Sequence, residues 1–214
     1  MSMTPQDASK RAREICSMAA VMPVLVVEDV SDAKPLAEAL VAGGLPALEV
    51  TLRTPAALEV IAAMSEVSSG CVGAGTVLTR ADARAAKAAG ANFAVSPGAT
   101  DALIEACEDE GLPLIAGAVT ASEAMALLER GYDMLKFFPA EASGGAPALK
   151  SLGGPLPQLS FCPTGGVNIK NASDYLSLGN VVCVGGSWVA PKGLVKAGDW
   201  AAIETLAREA AALN

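Results

Sequence analysis

The sequence predicts an α/β protein, a (β/α)8 or TIM barrel with an additional N-terminal helix. Eight short, mostly apolar runs recur along the 214 residues, and their first residues lie 20 to 25 positions apart. Segments with Ala and Leu at helical spacing fill the intervals. Strands that alternate with helices form parallel sheets, and eight strand–helix units in about 200 residues fit a compact closed barrel. A doubly wound open sheet is the alternative topology.

The eight predicted strands are short runs of apolar and often β-branched residues. In chain order they are Pro23–Val27, Ala47–Leu52, Cys71–Val77, Phe93–Gly98, Pro113–Val119, Met134–Ala140, Leu159–Val167 and Val181–Val189. The residues before Pro23 have charges and helical spacing but no signal-peptide core, which predicts the extra helix. Between strands, "DAKPLAEALVAGG" and "RADARAAKAAGA" close on Gly, and Thr120 with Glu123 forms a capping-box pattern.

Composition narrows the classes of function. Hydrophobic residues make up 52% of the chain and charged residues 18%, which supports a large core and argues against disorder. The net charge of −8 speaks against general nucleic-acid binding and requires any anionic ligand to find a local site. The apolar runs fall far short of a membrane span. We expect a cytoplasmic protein that forms one domain over residues 1–214.

Cysteine and histidine usage limits the chemistry. The five cysteines are scattered and odd in number, and no pair has metal-ligand spacing, which fits a reducing compartment. The chain has no histidine, which excludes Ser-His-Asp and Cys-His machinery and the usual His-rich zinc sites. Acid–base chemistry must therefore come from Lys, Glu, Asp, Tyr, Cys or a cofactor.

The active site of such a barrel lies at the carboxyl ends of its strands. Polar residues and glycines stand within or at the ends of six predicted strands: Glu49, Thr51 and Arg53; Thr76; Ser96; Lys136; Thr164, Gly165 and Gly166; Gly185, Gly186 and Ser187. Glu49, Thr51 and Arg53 alternate, so an extended strand puts them on one face. Glu49 and Arg53 are then either a buried structural ion pair or an acid–base carboxylate beside an anion-binding guanidinium.

Lys136 stands in the apolar run "MLKFFPA", where burial disfavours the charged form of an amine. A neutral amine is a nucleophile that forms a Schiff base with a ketone. The alternative is a lysine that extends to solvent or pairs with a carboxylate.

Two glycine-rich motifs, "PTGGVN" and "GGSWV", end the last two predicted strands. Barrels commonly bind phosphate at this place through backbone N–H groups, and glycine lets the backbone approach the oxygens closely. Ser187 adds a hydroxyl. Two such motifs on consecutive strands predict a phosphate site.

Six stretches in order, from Pro23 to about Trp200, resemble one enzyme family: "VAGGLPALEVTLRT", "VGAGTVLT", "FAVSPG", "LKFFPAE", "FCPTGGVN" and "GGSWV". This is the family of bacterial 2-keto-3-deoxy-6-phosphogluconate (KDPG) and 4-hydroxy-2-oxoglutarate aldolases, whose KDPG enzymes are class I aldolases of the Entner–Doudoroff pathway. One departure lies at strand five, where "AGAVT" stands in place of a family pattern closer to Pro-Gly-Ile-Ser/Thr. The departure bears on pocket shape and substrate preference rather than on reaction type.

The resemblance implies a homotrimeric (β/α)8 barrel without metal or cofactor that cleaves KDPG to pyruvate and glyceraldehyde 3-phosphate. Its partners are then small molecules, with no nucleic acid and no membrane. Lys136 is implied as the Schiff-base lysine and Glu49 as the general acid/base. The implied binding residues are Arg53, Thr76, Pro97, Phe138 and Thr164 for the substrate, and Gly165, Gly166, Gly185, Gly186 and Ser187 for its phosphate.

Three other functions are carried as alternatives. An aldolase of the same family can prefer 4-hydroxy-2-oxoglutarate or 2-keto-3-deoxy-6-phosphogalactonate. A non-catalytic phosphate-binding barrel needs Gly165, Gly166 and Ser187 but neither Lys136 nor Glu49. An isomerase or epimerase of the ribulose-phosphate type relies on carboxylates or a metal, and the absence of histidine weakens that hypothesis.

Overall fold

Eight parallel strands form a barrel in the computed structural model, which describes residues 2–213. The strands are β1 (Val21–Leu25), β2 (Ala47–Thr51), β3 (Cys71–Gly75), β4 (Phe93–Val95), β5 (Leu114–Gly117), β6 (Met134–Phe137), β7 (Ser160–Pro163) and β8 (Val184–Gly186). Consecutive strands pair from β1 to β7, and β1 also pairs with β8. Parallel bridges from Phe161 to Val181 and from Thr164 to Gly185 bring the two ends of the sheet together. The predicted barrel is therefore confirmed over the open sheet.

Helices follow the strands and surround the barrel. They are α1 (Pro5–Cys16), α2 (Ala33–Ala42), α3 (Ala57–Ser65), α4 (Arg80–Ala88), α5 (Asp101–Asp109), α6 (Ala121–Arg130), α7 (Gly145–Gly153), α8 (Ala172–Leu176), α9 (Lys192–Ala197) and α10 (Trp200–Ala211). The first is the predicted extra helix. The capping box at α6 is confirmed, because Glu123 Oε2 accepts the backbone N–H of Thr120 at 2.8 Å and Thr120 Oγ1 accepts that of Glu123 at 3.3 Å. Within residues 2–213 we find no helix of the length and apolarity that crossing a bilayer requires.

Alternation along the strands separates two apolar layers. Outward residues such as Leu48, Val50 and Leu135 pack with the helices in one large cluster. Inward residues such as Met22, Phe93 and the others of the second cluster fill the barrel interior: Ala47, Val95, Ile115, Met134, Cys162 and Cys183. Glu49 and Lys136 share this inward parity, since Glu49 is in register with Gly73 and Lys136 with Cys162.

Helix α1 closes the amino end of the barrel. Its residues Ala12, Ile15 and Cys16 belong to the interior cluster. Ser9 Oγ accepts the backbone N–H of Met134 at 3.0 Å, where β6 begins. Arg13 donates to the hydroxyl of Ser160 at 2.7 Å, where β7 begins. These bonds fix the helix across the barrel floor.

Every strand ends before its predicted carboxyl end. The backbone leaves the extended region soon after β3 and β7: φ is 61° at Thr76, 99° at Gly165 and 83° at Gly166. Strand β2 ends at Thr51, so Arg53 lies beyond the strand and its position on the same inner face as Glu49 was wrongly predicted.

Candidate functional site

Lys136 on β6 and Glu49 on β2 meet inside the barrel. Lys136 Nζ lies 3.2 Å from Glu49 Oε1, and the two residues are only 5% and 2% exposed. Lys136 Nζ also lies 5.3 Å from the centroid of the Phe138 ring. Removing either partner would leave a buried, unpaired polar group, which is costly. Of the two alternatives for Glu49 and Arg53, the buried ion pair between them is not formed, because Glu49 pairs with Lys136.

Two interior glycines make room for the polar side chains. A Cβ added to Gly75 would lie 2.3 Å from Glu49 Oε1, and one added to Gly185 would lie 2.2 Å from Thr164 Oγ1. Sequence reasoning gave Gly75 no role. The sequence feature that could have indicated a role for Gly75 is its alternation with Gly73 inside a strand. Glycine in a strand often marks a place where other atoms approach the backbone closely.

In the loop after β7, the carbonyl groups of both glycines accept hydrogen bonds from other residues of the protein. The carbonyl of Gly165 accepts the backbone N–H of Glu141 at 3.0 Å. The carbonyl of Gly166 accepts the side-chain amides of Asn168 at 3.0 Å and Asn171 at 3.2 Å. Sequence reasoning missed Glu141 and both asparagines, although "LKFFPAE" and "PTGGVN" contain two of them.

Two backbone N–H groups of the same loop are available to a ligand in the described part of the chain. Within residues 2–213, the backbone N–H groups of Gly166 and Val167 have no hydrogen-bond partner, whereas that of Gly165 faces β8 at the bridge between Thr164 and Gly185. Successive N–H groups on a backbone of positive φ form a concave site for an anion. Thr164 is buried beneath this loop, and its backbone N–H donates to Phe137 at 2.9 Å.

The second glycine-rich motif divides into packed and accessible residues. Gly185 and Gly186 are buried, and a Cβ on Gly186 would lie 1.7 Å from Trp188 Cζ3. Ser187, the next residue, is exposed. Close packing therefore explains why glycine stands at these two positions. Ser187 is the residue of this motif whose side chain a ligand can reach.

The remaining predicted binding residues lie on the rim. Arg53 is exposed and makes no ion pair with any residue in the range 2–213. Thr76 holds a left-handed backbone, a strained state for a non-glycine residue that is often found at functional sites. Pro97 is exposed after β4, and Ser96 beside it is buried.

A cavity of about 640 Å³ opens where β1 and β8 end. Its lining includes Val24, Ser187, Glu28 and Lys192. Val24 is in register with Glu49, so the cavity adjoins the Lys136–Glu49 pair, although neither of these two lines it. Lys192 Nζ pairs with Glu28 Oε1 at 2.5 Å across the cavity wall.

Three buried thiols lie in the interior cluster beneath Lys136. Contact with the thiols of Cys16 and Cys183, together with the charge of Lys136, holds the pKa of Cys162 well below its ordinary value of 9.0. Contact with Cys162 raises the pKa of Cys16, because two neighbouring thiols do not both ionise in an apolar interior. In the described part of the chain, we find no group of three or more Cys, Asp or Glu residues arranged to hold a metal ion.

Comparison with known proteins agrees with this geometry. The family model "KDPG and KHG aldolase" matches residues 12–206. A 2-dehydro-3-deoxy-phosphogluconate aldolase of Pseudoalteromonas atlantica is 52% identical over 202 residues, which cover 94% of each chain.

Two solved structures are similar over nearly the whole chain. The KDPG aldolase of Zymomonas mobilis ZM4, solved with 3-phosphoglycerate, has a TM-score of 0.92 at 49% identity and covers 96% of this chain and 97% of its own. The KDPG aldolase of Legionella pneumophila, described with pyruvate captured at low pH as a covalent carbinolamine, has a TM-score of 0.91 at 45% identity and covers 94% and 98%. The barrel, the buried lysine–carboxylate pair and these likenesses agree, and the chain belongs to the KDPG and KHG aldolase family.

Proposed function

We propose that this protein is a class I aldolase that cleaves KDPG to pyruvate and glyceraldehyde 3-phosphate through a Schiff base on Lys136. The observation that carries the proposal is the buried amine of Lys136, 3.2 Å from Glu49 Oε1, in a chain without histidine. The relative from Legionella pneumophila, captured with pyruvate as a carbinolamine, supports it. A non-catalytic barrel or an isomerase leaves this pair without a purpose.

The first half of the reaction builds an electron sink. Lys136 gives a proton to Glu49, and the neutral amine attacks the C2 ketone. The carbonyl oxygen takes up a proton, which Glu49 supplies, and forms a carbinolamine. Glu49 then takes the extra proton from the attacking nitrogen and gives it to the hydroxyl, which leaves as water, so that an iminium joins Lys136 to C2 and Glu49 is again a carboxylate.

The second half breaks the carbon–carbon bond. Glu49, directly or through a water, accepts the proton of the C4 hydroxyl. The electrons of the C3–C4 bond move into the iminium, which becomes an enamine, and glyceraldehyde 3-phosphate leaves. Protonation of the enamine at C3 and hydrolysis release pyruvate and return the free amine of Lys136.

The residues on the rim of the barrel bind the substrate and take no part in the bond changes. The available N–H groups of the Gly165–Gly166 loop and the Ser187 hydroxyl hold the phosphate, with Gly185 and Gly186 packed behind them. The remaining binding set is Arg53, Thr76, Pro97, Phe138 and Thr164. Because the net charge is −8, local N–H groups and Arg53, for which residues 2–213 provide no ion pair, must offset the repulsion of an anionic substrate.

Borohydride trapping with pyruvate tests the proposal. We expect one reduced adduct per chain by intact mass, located on Lys136 by peptide mapping. The Lys136→Ala variant should keep its fold and lose both the adduct and turnover, whereas Lys150→Ala, which removes an exposed lysine, should retain both. Folded protein that gives no adduct at saturating pyruvate would overturn the proposal.

We also propose that the protein is a homotrimer and works in the cytoplasm. The resemblance to the family supports the trimer, and large apolar side chains that are exposed on the single chain are available for an interface: Val26, Leu78, Met125 and Ile169 among them. Recovery of the aldolase activity in the cytoplasmic fraction of the source cells tests the location.

A further inference from the structure

Glu141 and Tyr175 form a hydrogen bond behind the phosphate loop that the proposed chemistry does not use. Tyr175 on α8 is 1% exposed, and its hydroxyl donates to Glu141 Oε1. Burial and this carboxylate raise the pKa of Tyr175, so the hydroxyl stays protonated as a donor. The bond joins the segment after β6 to the helix after β7.

Glu141 holds the glycine pair from two sides. Its backbone N–H donates to the carbonyl of Gly165 at 3.0 Å. Its side-chain stem occupies the space beside Gly166, where an added Cβ would lie 2.5 Å from Glu141 Cγ and 2.7 Å from Cβ. The left-handed backbone of Gly166, at φ 83°, is therefore fitted around this side chain, whereas Gly165, at φ 99°, faces Phe138 and Pro139.

Gly145 lies in ordinary contact distance of the bond. A Cβ on Gly145 would lie 3.4 Å from Glu141 Oε1 and 3.5 Å from the Tyr175 hydroxyl. A carboxylate near a bound phosphate repels it, and a hydrogen-bond donor to the carboxylate weakens that repulsion. Tyr175 supplies that donor and fixes the Glu141 side chain against the loop.

We propose that Glu141 and Tyr175 are positioning residues for the phosphate end of the substrate. Tyr175 anchors Glu141, and Glu141 keeps the N–H groups of Gly166 and Val167 aimed at one ligand. The inference rests on the proposed function, because it takes this loop as the phosphate site of an aldolase. Neither residue touches the carbon atoms that react at Lys136.

The test compares a phosphorylated with an unphosphorylated substrate. We expect Tyr175→Phe and Glu141→Ala each to raise KM for KDPG by about tenfold, the loss typical of one hydrogen bond to a charged group. The kcat/KM for unphosphorylated 4-hydroxy-2-oxoglutarate should stay within about twofold, because that substrate does not use the loop. Glu141→Gln, which keeps an acceptor for Tyr175, should restore KM for KDPG.

Tyr132→Phe is the matched control. Tyr132 is also fully buried, and its hydroxyl donates to Glu108 Oε1 at 3.1 Å, away from the loop. We expect it to lower stability as Tyr175→Phe does while leaving the ratio of the two kcat/KM values unchanged. Inhibition by inorganic phosphate should weaken in Tyr175→Phe and not in Tyr132→Phe.

The outcomes separate this inference from the proposed function. Pyruvate trapping on Lys136 in the wild type tests the proposed function alone. If trapping holds but Tyr175→Phe changes both substrates equally, or neither, the positioning role is wrong. If Tyr175→Phe does not fold, Glu141→Ala and Glu141→Gln, at an exposed position, decide the same question.

Discussion

Gly75 is the residue whose missing side chain shapes the reaction centre most directly. An added Cβ would lie 2.3 Å from Glu49 Oε1, a distance at which the carboxylate has to move away from Lys136. We expect Gly75→Ala to lower kcat by about a hundredfold, the lower end of what a positioned acid–base group contributes. Borohydride trapping with pyruvate should slow in parallel.

Gly98→Ala is the control for Gly75→Ala. A Cβ at Gly98 meets no atom within 4 Å, so this change should leave kcat near the wild-type value. An unchanged kcat in Gly75→Ala would mean that Glu49 does not need its observed position.

Single residues were predictable where the pattern around them was local. Lys136 and Glu49 stand as ionisable residues in apolar strands, so the conflict between charge and burial is visible in the sequence. Glu141 and Tyr175 lie 34 positions apart, and their contact depends on the packing of two separate loops. No periodicity or spacing connects them, which is why the sequence alone did not predict the pair.

At the scale of elements, all eight strands were predicted, whereas their carboxyl ends were not. Beyond several strands the chain still contains apolar residues that pack on the rim, as buried Val77 and Val189 do. Backbone dihedral angles end the strands, and a threonine such as Thr76 at φ 61° has no sequence signature for that conformation. Arg53 was misplaced for the same reason, since its alternation with Glu49 continues past the last residue of β2.

The capping box of α6 predicts a pH-dependent stability. The backbone N–H groups of Thr120 and Val119 hold the pKa of Glu123 below its ordinary value of 4.5. A lowered folded-state pKa contributes stability above the unfolded value, and that contribution is lost as pH falls through the folded value. We expect Glu123→Gln to cost about 0.5 kcal/mol at pH 7, a small effect because the group is exposed.

Urea unfolding of the wild type and Glu123→Gln at pH 7 and about pH 3 measures this difference, which should shrink at the lower pH. Glu129→Gln on the exposed face of the same helix is the control and should be neutral at both values. An equal difference at both pH values would assign the effect to something other than the charge.

At the scale of the whole molecule, the proposed trimer has a direct measurement. Light scattering after size exclusion should report three times the 21.4 kDa mass of the chain. The apolar side chains exposed on the single chain, such as Leu78, are the physical reason to expect association. A mass of one chain across a range of concentrations would contradict the proposal.

The architecture was the most predictable property of the molecule, since eight similar units leave few ways to bury eight apolar strands. That residues 1–214 form one domain stays a prediction. Contacts inside the barrel were the least predictable property. Lys136 and Glu49 are 87 positions apart, and their side chains meet only because the barrel is closed.

Because α1 closes the amino end of the barrel, it restricts how substrates and products reach and leave Lys136. With Ile15 and Cys16 filling the amino end, molecules reach Lys136 through the opposite mouth. Under the proposed chemistry the three-carbon fragment stays bonded to Lys136 at depth, while the phosphorylated aldehyde sits above it. The aldehyde must depart first, water must then enter, and pyruvate leaves last. In the reverse, condensation direction the order is inverted, and pyruvate binds first. The covalent bond sets this order, and α1, by closing the amino end, makes every arrival and departure use the same mouth.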